Sequence, residues 1–273
     1  MAGKLFVVGT PIGNLSDFSP RGAQTLESVD FIAAEDTRVS VKLLNHLEIK
    51  KPMVSYFEHN KREKGEEIIN RILAGENCAI ITDAGMPCIS DPGEDLVRLA
   101  HERGVKVESV PGPSALITAL AVSGMVSGRF TFEGFLSVNK QSRREHLAEL
   151  QNEKRTMIFY EAPHKLAATL KDMLSFFGDR QIALVRELTK LHETVERTTL
   201  GAAAEFYSSN PPKGEFVLIV EGKKEENSEA LTKEQAVLMA RQLIKKGMSA
   251  SAAAKAVAKD SGFRKNDIYM ELV

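Results

Sequence analysis

Short apolar runs alternate with helical patterns throughout the first 124 residues of the chain. KLFVVGT (4–10), FIAAED (31–36) and CAIITDA (78–84) are continuous apolar runs, which are typical of strands buried on both faces. Helical segments lie between the runs, and one of them begins with Ser19 as a candidate N-cap before Pro20. Strands that alternate with helices predict an α/β fold with a mainly parallel sheet covered by helices on both faces.

The pattern changes after SGMVSGRF (123–130), which we interpret as a linker. Strand candidates then follow one another more closely, and two of them are nearly contiguous, so part of this second sheet is expected to be antiparallel. The polar residues 223–229 predict a tether to two or three further helices. We therefore predict an α/β domain at 1–124, a second α/β domain with a mixed sheet at 130–222, and a small helical module at 230–273.

Charge is nearly balanced over the whole chain, with a formal net charge of −1, and gives no general case for a nucleic-acid binder. Residues 239–273 differ, because they hold seven Lys or Arg against three Asp or Glu. Cys78 and Cys88 have no CxxC partner, and no apolar run approaches the ~20 residues of a membrane-spanning helix. These features predict a cytoplasmic protein with reduced thiols.

Three loops rich in glycine and proline follow predicted strands of the first sheet. They are GTPIGN (9–14), DAGMPCISDPG (83–93) and VPGPSA (110–115), and none has the glycine spacing of a G-x-G-x-x-G or Walker A phosphate loop. Because ligands of open α/β sheets lie beyond the carboxyl ends of the strands, these loops predict a small-molecule site. The loops contain Asp83 and Asp91 but no lysine or arginine, which favours a cationic or amphipathic ligand over a phosphorylated one.

Charged side chains also gather where the apolar strands are predicted to stop. Any one of them fits a solvated or salt-bridged residue, but together they predict a polar cleft at the functional rim of the fold. The group consists of Glu35, Asp36, Arg38, Glu133, Glu161, His164, Arg186, Glu187, Lys190, Glu193 and Glu215.

Metal and nucleophile chemistry have little support in the sequence. The six histidines never lie within five residues of one another, so there is no zinc-like pair, and we predict no metal site. Ser114 follows Gly112-Pro113 instead of standing in a G-x-S-x-G turn. Cys88 beside Pro87 fits a small buried thiol better than a reactive one.

The helical module leaves two interpretations open. Its lysines and arginines fit a solvated helical face, and they fit equally a surface that contacts the phosphates of a nucleic acid. Aromatic residues are sparse in this module, so stacking on unpaired bases is not strongly indicated there. The candidate phosphate contacts are Lys245, Lys246, Lys255, Arg264 and Lys265.

Seven motifs closely resemble the tetrapyrrole methylase family of S-adenosylmethionine enzymes, and within it the bacterial enzymes that act on ribosomal RNA. They are, in order, GTPIGNLSD, AEDTR, TDAGMPCISDPG with Thr82 in place of serine, VPGPSA, FEGFL, YEAPHK and RELTKLHE. The resemblance implies two α/β domains with the cofactor in the cleft between them, and usually a homodimer. It also implies methylation of the ribose 2′-hydroxyl of a cytidine in the 16S RNA of the small ribosomal subunit.

The resemblance assigns candidate site residues by motif position. For S-adenosylmethionine they are Pro11, Asp83, Gly85, Met86, Pro87, Ser114, Ala115, Tyr160, Glu161, Ala162 and Phe216. The candidates for contact with RNA are Asp36, Arg38 and Arg186 from the charged strand ends, together with the five cations that the charge of the helical module indicates. Glu161, Glu187 and Lys190 are candidates for a base or a cation at the ribose 2′-oxygen, which would attack the methyl group by direct in-line displacement.

Two other functions remain open at this point. Tetrapyrrole relatives methylate large anionic macrocycles on a similar scaffold, so the fold alone does not separate an RNA enzyme from a tetrapyrrole or other small-molecule methyltransferase. A non-catalytic ribosome-binding factor would keep the fold and lose the cofactor. The basic helical module and the particular residues of the seven motifs favour the RNA enzyme.

Overall fold

The computed structural model describes residues 2–224 and 232–272, and the chain forms two compact units, Met1–Lys223 and Lys224–Val273. Residues 225–229 of the predicted tether lie outside the described residues. Every helix in the described parts of the chain is too short or too polar to cross a membrane. The domain boundaries read from the sequence stay a prediction.

The first unit begins with a sheet whose five strands are all parallel. They are β1 (Lys4–Val8), β2 (Phe31–Ala34), β3 (Met53–Ser55), β4 (Cys78–Ile81) and β5 (Lys106–Val110). Their order across the sheet is β3-β2-β4-β1-β5. Parallel pairing places all the carboxyl ends of these strands at one edge, and the loops that follow β1, β4 and β5 are therefore neighbours.

Helices cover both faces of the first sheet. They are α1 (Pro20–Ser28), α2 (Thr37–His46), α3 (Lys61–Leu73) and α4 (Gly93–Glu102), and α5 (Ala115–Ser123) follows β5. The Ser19 hydroxyl accepts a hydrogen bond from the Gly22 N–H at 3.0 Å, which confirms the predicted N-cap. Phe31 packs against α3 and α4 on one face, whereas Ile32 packs against α1 and α2 on the other. This arrangement confirms the predicted α/β class.

The second sheet is mixed, as predicted. Its strands are β6 (Phe130–Phe135), β7 (Thr156–Glu161), β8 (Gln181–Arg186), β9 (Thr194–Thr199) and β10 (Phe216–Val220), in the order β6-β7-β10-β8-β9. The β6–β7 pair is parallel, and the other three pairs of these strands are antiparallel. Helices α6 (Lys140–Glu149), α7 (Leu166–Phe177) and α8 (Leu200–Ser209) accompany this sheet, and α7 and α8 pack on one of its faces.

Helix α5 joins the two sheets. Its side chains are almost all apolar, which is typical of a helix in contact with protein on more than one side. Ala119 and Leu120 pack against Ile158 and Val217 on the face of the second sheet that α7 and α8 leave open. The amino terminus of α5 therefore lies at the junction of the two sheets.

The second unit, in its described part, consists of three helices. They are α9 (Lys233–Lys245), α10 (Ala250–Ser261) and α11 (Lys265–Tyr269), and Thr232 with Gln235 forms a capping box at the start of α9. The core is built from small residues, among them Ala240 and Ala253, with Ile268 from α11. All five predicted phosphate contacts are exposed on this unit.

Candidate functional site

A cavity of about 340 Å³ lies between the carboxyl edge of the first sheet and the open face of the second. This volume falls at the lower end of the roughly 300–1,000 Å³ found for small-molecule sites. Ten of the residues predicted for the cofactor or for catalysis line it: Gly85, Met86, Ser114, Ala115, Tyr160, Glu161, Ala162, Glu187, Lys190 and Phe216.

The loops at 9–14, 83–93 and 110–115, here called the three-loop cluster, are bonded directly to one another. The Thr10 N–H donates to the Gly85 carbonyl at 2.9 Å, and the Gly85 N–H donates back to Thr10 at 3.2 Å. Gly9 and Gly112 touch through their backbones, since a Cβ on Gly9 would lie 2.7 Å from the Gly112 Cα. The glycines predicted to let backbone approach a ligand therefore also let the loops approach each other.

The second of these loops is shaped by Asp91. Its carboxylate accepts hydrogen bonds from the N–H groups of Cys88 and Gly93 at 3.0 and 2.8 Å. Cys88 and Ser90 have φ values of 72° and 65°, which non-glycine residues adopt only when the surroundings hold them there. Burial raises the pKa of Asp91 above its ordinary value in spite of these donors. Asp91 therefore sets the shape of the loop as well as lining the cavity.

A cluster of carboxylates follows β2 and β4. Glu35 accepts hydrogen bonds from the Thr82 hydroxyl and the Asp83 N–H, and Asp83 accepts one from the Asp36 N–H at 3.2 Å. Burial, followed by the nearby charge of Glu35, raises the pKa of Asp83. Glu35 and Thr82 line the cavity, whereas Asp83 lies beside it and does not.

Asp36 and Arg38 bond to each other. Asp36 caps α2 by accepting the Arg38 N–H, and the Arg38 guanidinium reaches the same carboxylate at 2.6 Å. The hydrogen bonds from Arg38 lower the pKa of Asp36 to about 2. Neither residue lines the cavity. Their predicted contact with RNA stays a prediction, and their observed role is to start a helix.

The second sheet supplies Tyr160 and Glu161. The Tyr160 hydroxyl accepts the Leu116 N–H at 3.1 Å, which fixes the start of α5 against β7. Glu161 is only 2% exposed, and its carboxylate accepts hydrogen bonds from the Thr169 hydroxyl and the Ala162 N–H. Because both carboxylate oxygens already have donors, Glu161 is held in one position at the cavity wall.

Glu187, Lys190 and Glu215 form an ion cluster that also lines the cavity. The Lys190 ammonium bonds Glu187 at 2.9 Å and Glu215 at 3.1 Å. Burial alone would lower the pKa of Lys190, but the hydrogen bonds to the two carboxylates outweigh that effect and raise it. The hydrogen bond from Lys190, with the Glu215 N–H as the next cause, lowers the pKa of Glu187. Lys190 therefore stays protonated, and Glu187 stays ionised.

The charges around the cavity favour a cation. Glu35, Asp91, Glu161, Glu187 and Glu215 line it, and among the described lining residues they face the single amine of Lys190. The amino terminus of α5 adds the positive end of a helix dipole, and Ser114 makes no side-chain cap there. A ligand with cationic centres and one carboxylate matches this set. Phosphates do not, because several carboxylates would face them.

Some predicted residues lie outside the cavity. Pro11 and Pro87 belong to the three-loop cluster without lining it. Arg186 follows Ile182 and Leu184 onto the face of β8 that α7 and α8 cover, because alternate residues of a strand share a face. For these residues, and for the cations of the second unit, the predicted roles remain predictions.

The structure adds lining residues that we did not predict. They are Ile12, Ala84, Ile89, Ser90, Phe135, Val185 and Leu188, besides Thr82. Three of them, Ala84, Val185 and Leu188, are apolar residues next to a predicted charged one, and an apolar residue at the end of a strand gives no sequence signal of its own. Phe135 does have a sequence signal, because the glycine before it marks a possible bulge in the strand.

The described residues give no sign of metal or thiol chemistry. No group of three or more His, Cys, Asp or Glu among them is placed to hold a metal ion. Burial raises the pKa of the Cys78 and Cys88 thiols to about 12, so neither is a thiolate near neutral pH.

Comparison with known proteins identifies the relatives of this chain. The profile of the family described as Tetrapyrrole (Corrin/Porphyrin) Methylases matches residues 4–204. A protein of Synechocystis sp. named ribosomal RNA small subunit methyltransferase I is 44% identical over 268 residues, which cover 98% of this chain and 96% of that protein. The protein of the same name from Thermotoga maritima is 46% identical over 222 residues, 81% of this chain and 100% of its own.

Among solved structures, the crystal structure of diphthine synthase matches with a TM-score of 0.62 at 14% identity. It covers 81% of this chain and 91% of its own length. At such low identity the likeness concerns the fold alone. It supports the arrangement of two α/β sheets.

Proposed function

Because the chain belongs to the tetrapyrrole methylase family and takes S-adenosylmethionine as its methyl donor, we propose that it methylates ribosomal RNA of the small subunit. The acceptor in this proposal is the ribose 2′-hydroxyl of a cytidine in 16S RNA. The observation that supports methyl transfer is the acid-lined cavity between the sheets, which suits the cationic methyl donor. The names of full-length relatives at about 44% identity support the choice of RNA.

The residues of the cavity fit S-adenosylmethionine. When bound, this cofactor supplies an electrophilic methyl group on a sulfonium centre, which becomes a neutral thioether after transfer. The carboxylates around the cavity suit the positive charge, and the amino terminus of α5 suits the carboxylate of the methionine part. Gly85, Met86, Ser114 and Ala115 would hold the methionine side, and Tyr160, Ala162 and Phe216 the adenosine side.

Lys190 acts, in this proposal, as a fixed cation rather than as a base. Its raised pKa keeps the proton on the amine, and Glu187 and Glu215 hold the ammonium in place at the cavity. A cation there stabilises the negative charge that develops on the 2′-oxygen as its proton passes to water. Glu187 has a lowered pKa and is a weaker base than a free glutamate, so its role is to position Lys190.

The second unit presents exposed cations that suit the phosphates of RNA. We propose that Lys245, Lys246, Lys255, Arg264 and Lys265 strengthen the contact with these phosphates. The homodimer and the cytoplasmic location implied by the resemblance stay predictions.

The direct test uses small ribosomal subunits from cells that lack this protein. Incubation with the purified protein and labelled S-adenosylmethionine is expected to add a methyl group to one cytidine ribose, located by mass spectrometry of RNA fragments. Transfer to a base atom would contradict the proposed acceptor. Cofactor binding without any transfer, to immature or mature subunits, would favour a non-catalytic ribosome-binding factor.

Replacing Lys245 and Lys246 together by glutamine tests the second unit. We expect weaker RNA binding and a salt dependence of log Kd that is shallower by up to ~1 for each phosphate that the variant no longer neutralises. S-Adenosylmethionine affinity should not change. The matched control replaces Lys50 and Lys51, which are consecutive residues of the first unit, by glutamine. Equal effects of the two pairs on RNA binding would show that only overall charge matters.

A tetrapyrrole or other small-molecule substrate is the alternative. A macrocycle with several carboxylates needs arginine or lysine around it, and Lys190 is the one such residue among the described lining residues. Two of its three N–H donors already bond carboxylates, so one donor remains, which is too few for several ligand carboxylates. The lining charges therefore favour RNA, with its phosphates outside the cavity, over a multiply anionic ligand inside it.

A further inference from the structure

Strand β6 contains an irregularity that changes the face on which its last aromatic residue lies. Phe132 pairs with Ile158, but Gly134 pairs with the next residue, Phe159, so Glu133 is an extra residue in the strand. Residues three apart in a regular strand point to opposite faces. The extra residue instead brings Phe135 to the same face as Phe132.

Tyr160 shows the result of this shift. The ring centroids of Phe132 and Phe135 lie 4.9 and 5.4 Å from that of Tyr160, both in edge-on arrangements. Gly134 supplies the left-handed φ of 63° that the bulge uses. Phe135 consequently lines the cavity, and its ring packs against that of Tyr160.

Phe135 is nevertheless 59% exposed, although it lines the cavity. A ring in this position lies at the mouth, with part of its surface in water. Bulges that direct a side chain to a ligand are common beside active sites. The exposed part of the ring is therefore available to contact a ligand that enters the cavity.

A second exposed apolar side chain lies nearby. Ile89 of the three-loop cluster is 43% exposed and also lines the cavity. The next residue, Ser90, meets the residue before Phe135, since a Cβ on Gly134 would lie 3.3 Å from the Ser90 hydroxyl. Ile89 and Phe135 thus flank one contact between the two sheets, and each presents apolar surface at the mouth.

We propose that Phe135, with Ile89, holds the base of the target nucleotide by stacking and so presents its ribose to the cavity. This inference rests on the proposed function and names the group that recognises the nucleotide. Enzymes that modify a single nucleotide commonly hold its extruded base between aromatic and apolar side chains. A planar pyrimidine offers the face that such a contact needs.

The residues after Phe135 include an exposed lysine that is available to contact a nucleic-acid strand. Helix α6 begins five residues later with the exposed Lys140, which lies at most ~18 Å from Phe135 even along an extended chain. A cation at that range can contact a phosphate next to the stacked nucleotide. The mouth therefore combines an apolar platform with a nearby positive charge.

The test replaces Phe135 by alanine and measures methyl transfer to small subunits at saturating cofactor. We expect kcat/KM for the subunit to fall by ~10-fold or more, since a stacked base contributes that much to binding. The affinity for S-adenosylmethionine, measured by calorimetry, should change less than twofold. The variant Phe135→Tyr, which keeps the ring, should retain most of the activity.

Phe206→Ala is the matched control. Phe206 is 53% exposed and packs edge-on against Tyr207, but it does not line the cavity. It should leave kcat/KM unchanged. Thermal unfolding of Phe135→Ala and Phe206→Ala shows whether either variant has lost its fold. If Phe135→Ala is unfolded, Phe135→Tyr serves as the folded variant for the comparison.

Two outcomes would overturn the inference. One is an unchanged kcat/KM in Phe135→Ala, and the other is a parallel loss of cofactor affinity, which would assign the ring to the adenine of the cofactor. A wild-type protein that binds small-subunit RNA without methylating it would instead remove the proposed function. In that case the RNA affinities of the same variants still decide whether Phe135 stacks on a base.

Discussion

Gly9→Ala is expected to weaken S-adenosylmethionine binding by at least ~100-fold, about 2.8 kcal/mol. The added methyl group would lie 2.7 Å from the Gly112 Cα and 2.8 Å from the Gly112 nitrogen, and both are backbone atoms. No side chain can move aside to make room, so the first and third loops must separate. Overpacking of this kind costs typically ~1–3 kcal/mol, which a domain of this size survives.

The loss of affinity follows because the loops act together. Gly9 donates its N–H to Val110 at 3.1 Å, and the neighbouring Thr10 bonds Gly85, so a shift at Gly9 displaces all three loops that line the cavity. Calorimetric titration with the cofactor measures the effect, and thermal unfolding measures the accompanying loss of stability. Gly128→Ala is the control, because a Cβ on Gly128 meets no atom within 4 Å. A Gly9→Ala protein that binds the cofactor normally would contradict the packing argument.

Lys190→Met is expected to lower kcat by ~10²–10³-fold and to leave cofactor affinity within about threefold. Methionine keeps much of the length and volume of the side chain and removes the charge. The expected loss matches that caused by removing one donor to a developing oxyanion. The substitution also leaves Glu187 and Glu215 without their shared cation, which would further disfavour negative charge on the acceptor oxygen.

Single-turnover methylation of small subunits measures this effect, because it separates the chemical step from product release. Lys213→Met is the matched control. Lys213 is exposed, lies two residues before Glu215 and does not line the cavity. A Lys190→Met enzyme with normal kcat and a raised KM for RNA would assign Lys190 to phosphate binding instead.

The sequence predicted the first sheet and the position of the site for one physical reason. In a parallel sheet the carboxyl ends share an edge, so loops that are far apart along the chain become neighbours. Gly85 and Ser114, which this rule and the family motifs assign to the site, both line the cavity. The close backbone approach of Gly9 to Gly112 was not predicted, because such an approach depends on the register of the strands.

Local interactions account for several predicted residues that lie elsewhere. Asp36 and Arg38 are charged residues of a kind that often binds ligands. A short polar side chain before a helix also accepts hydrogen bonds from the free N–H groups of the first turn, and Asp36 does so here. Arg186 shares the helix-covered face of the second sheet with Phe216, its neighbour on β10, yet only Phe216 lines the cavity. Phe135 was missed because a single extra residue in β6 reverses the alternation on which strand predictions depend.

The place of β10 in the second sheet has a consequence for synthesis. This strand comes last of the five along the chain, yet it lies between β7 and β8 and pairs with both of them. Until residue 220 leaves the exit tunnel, a nascent chain presents two unpaired apolar edges, which invite aggregation. Phe216 and Val217 also form part of the cavity wall, so cofactor capture must wait for the same event. Premature termination before this strand would therefore give a polypeptide that depends on chaperones and binds no methyl donor.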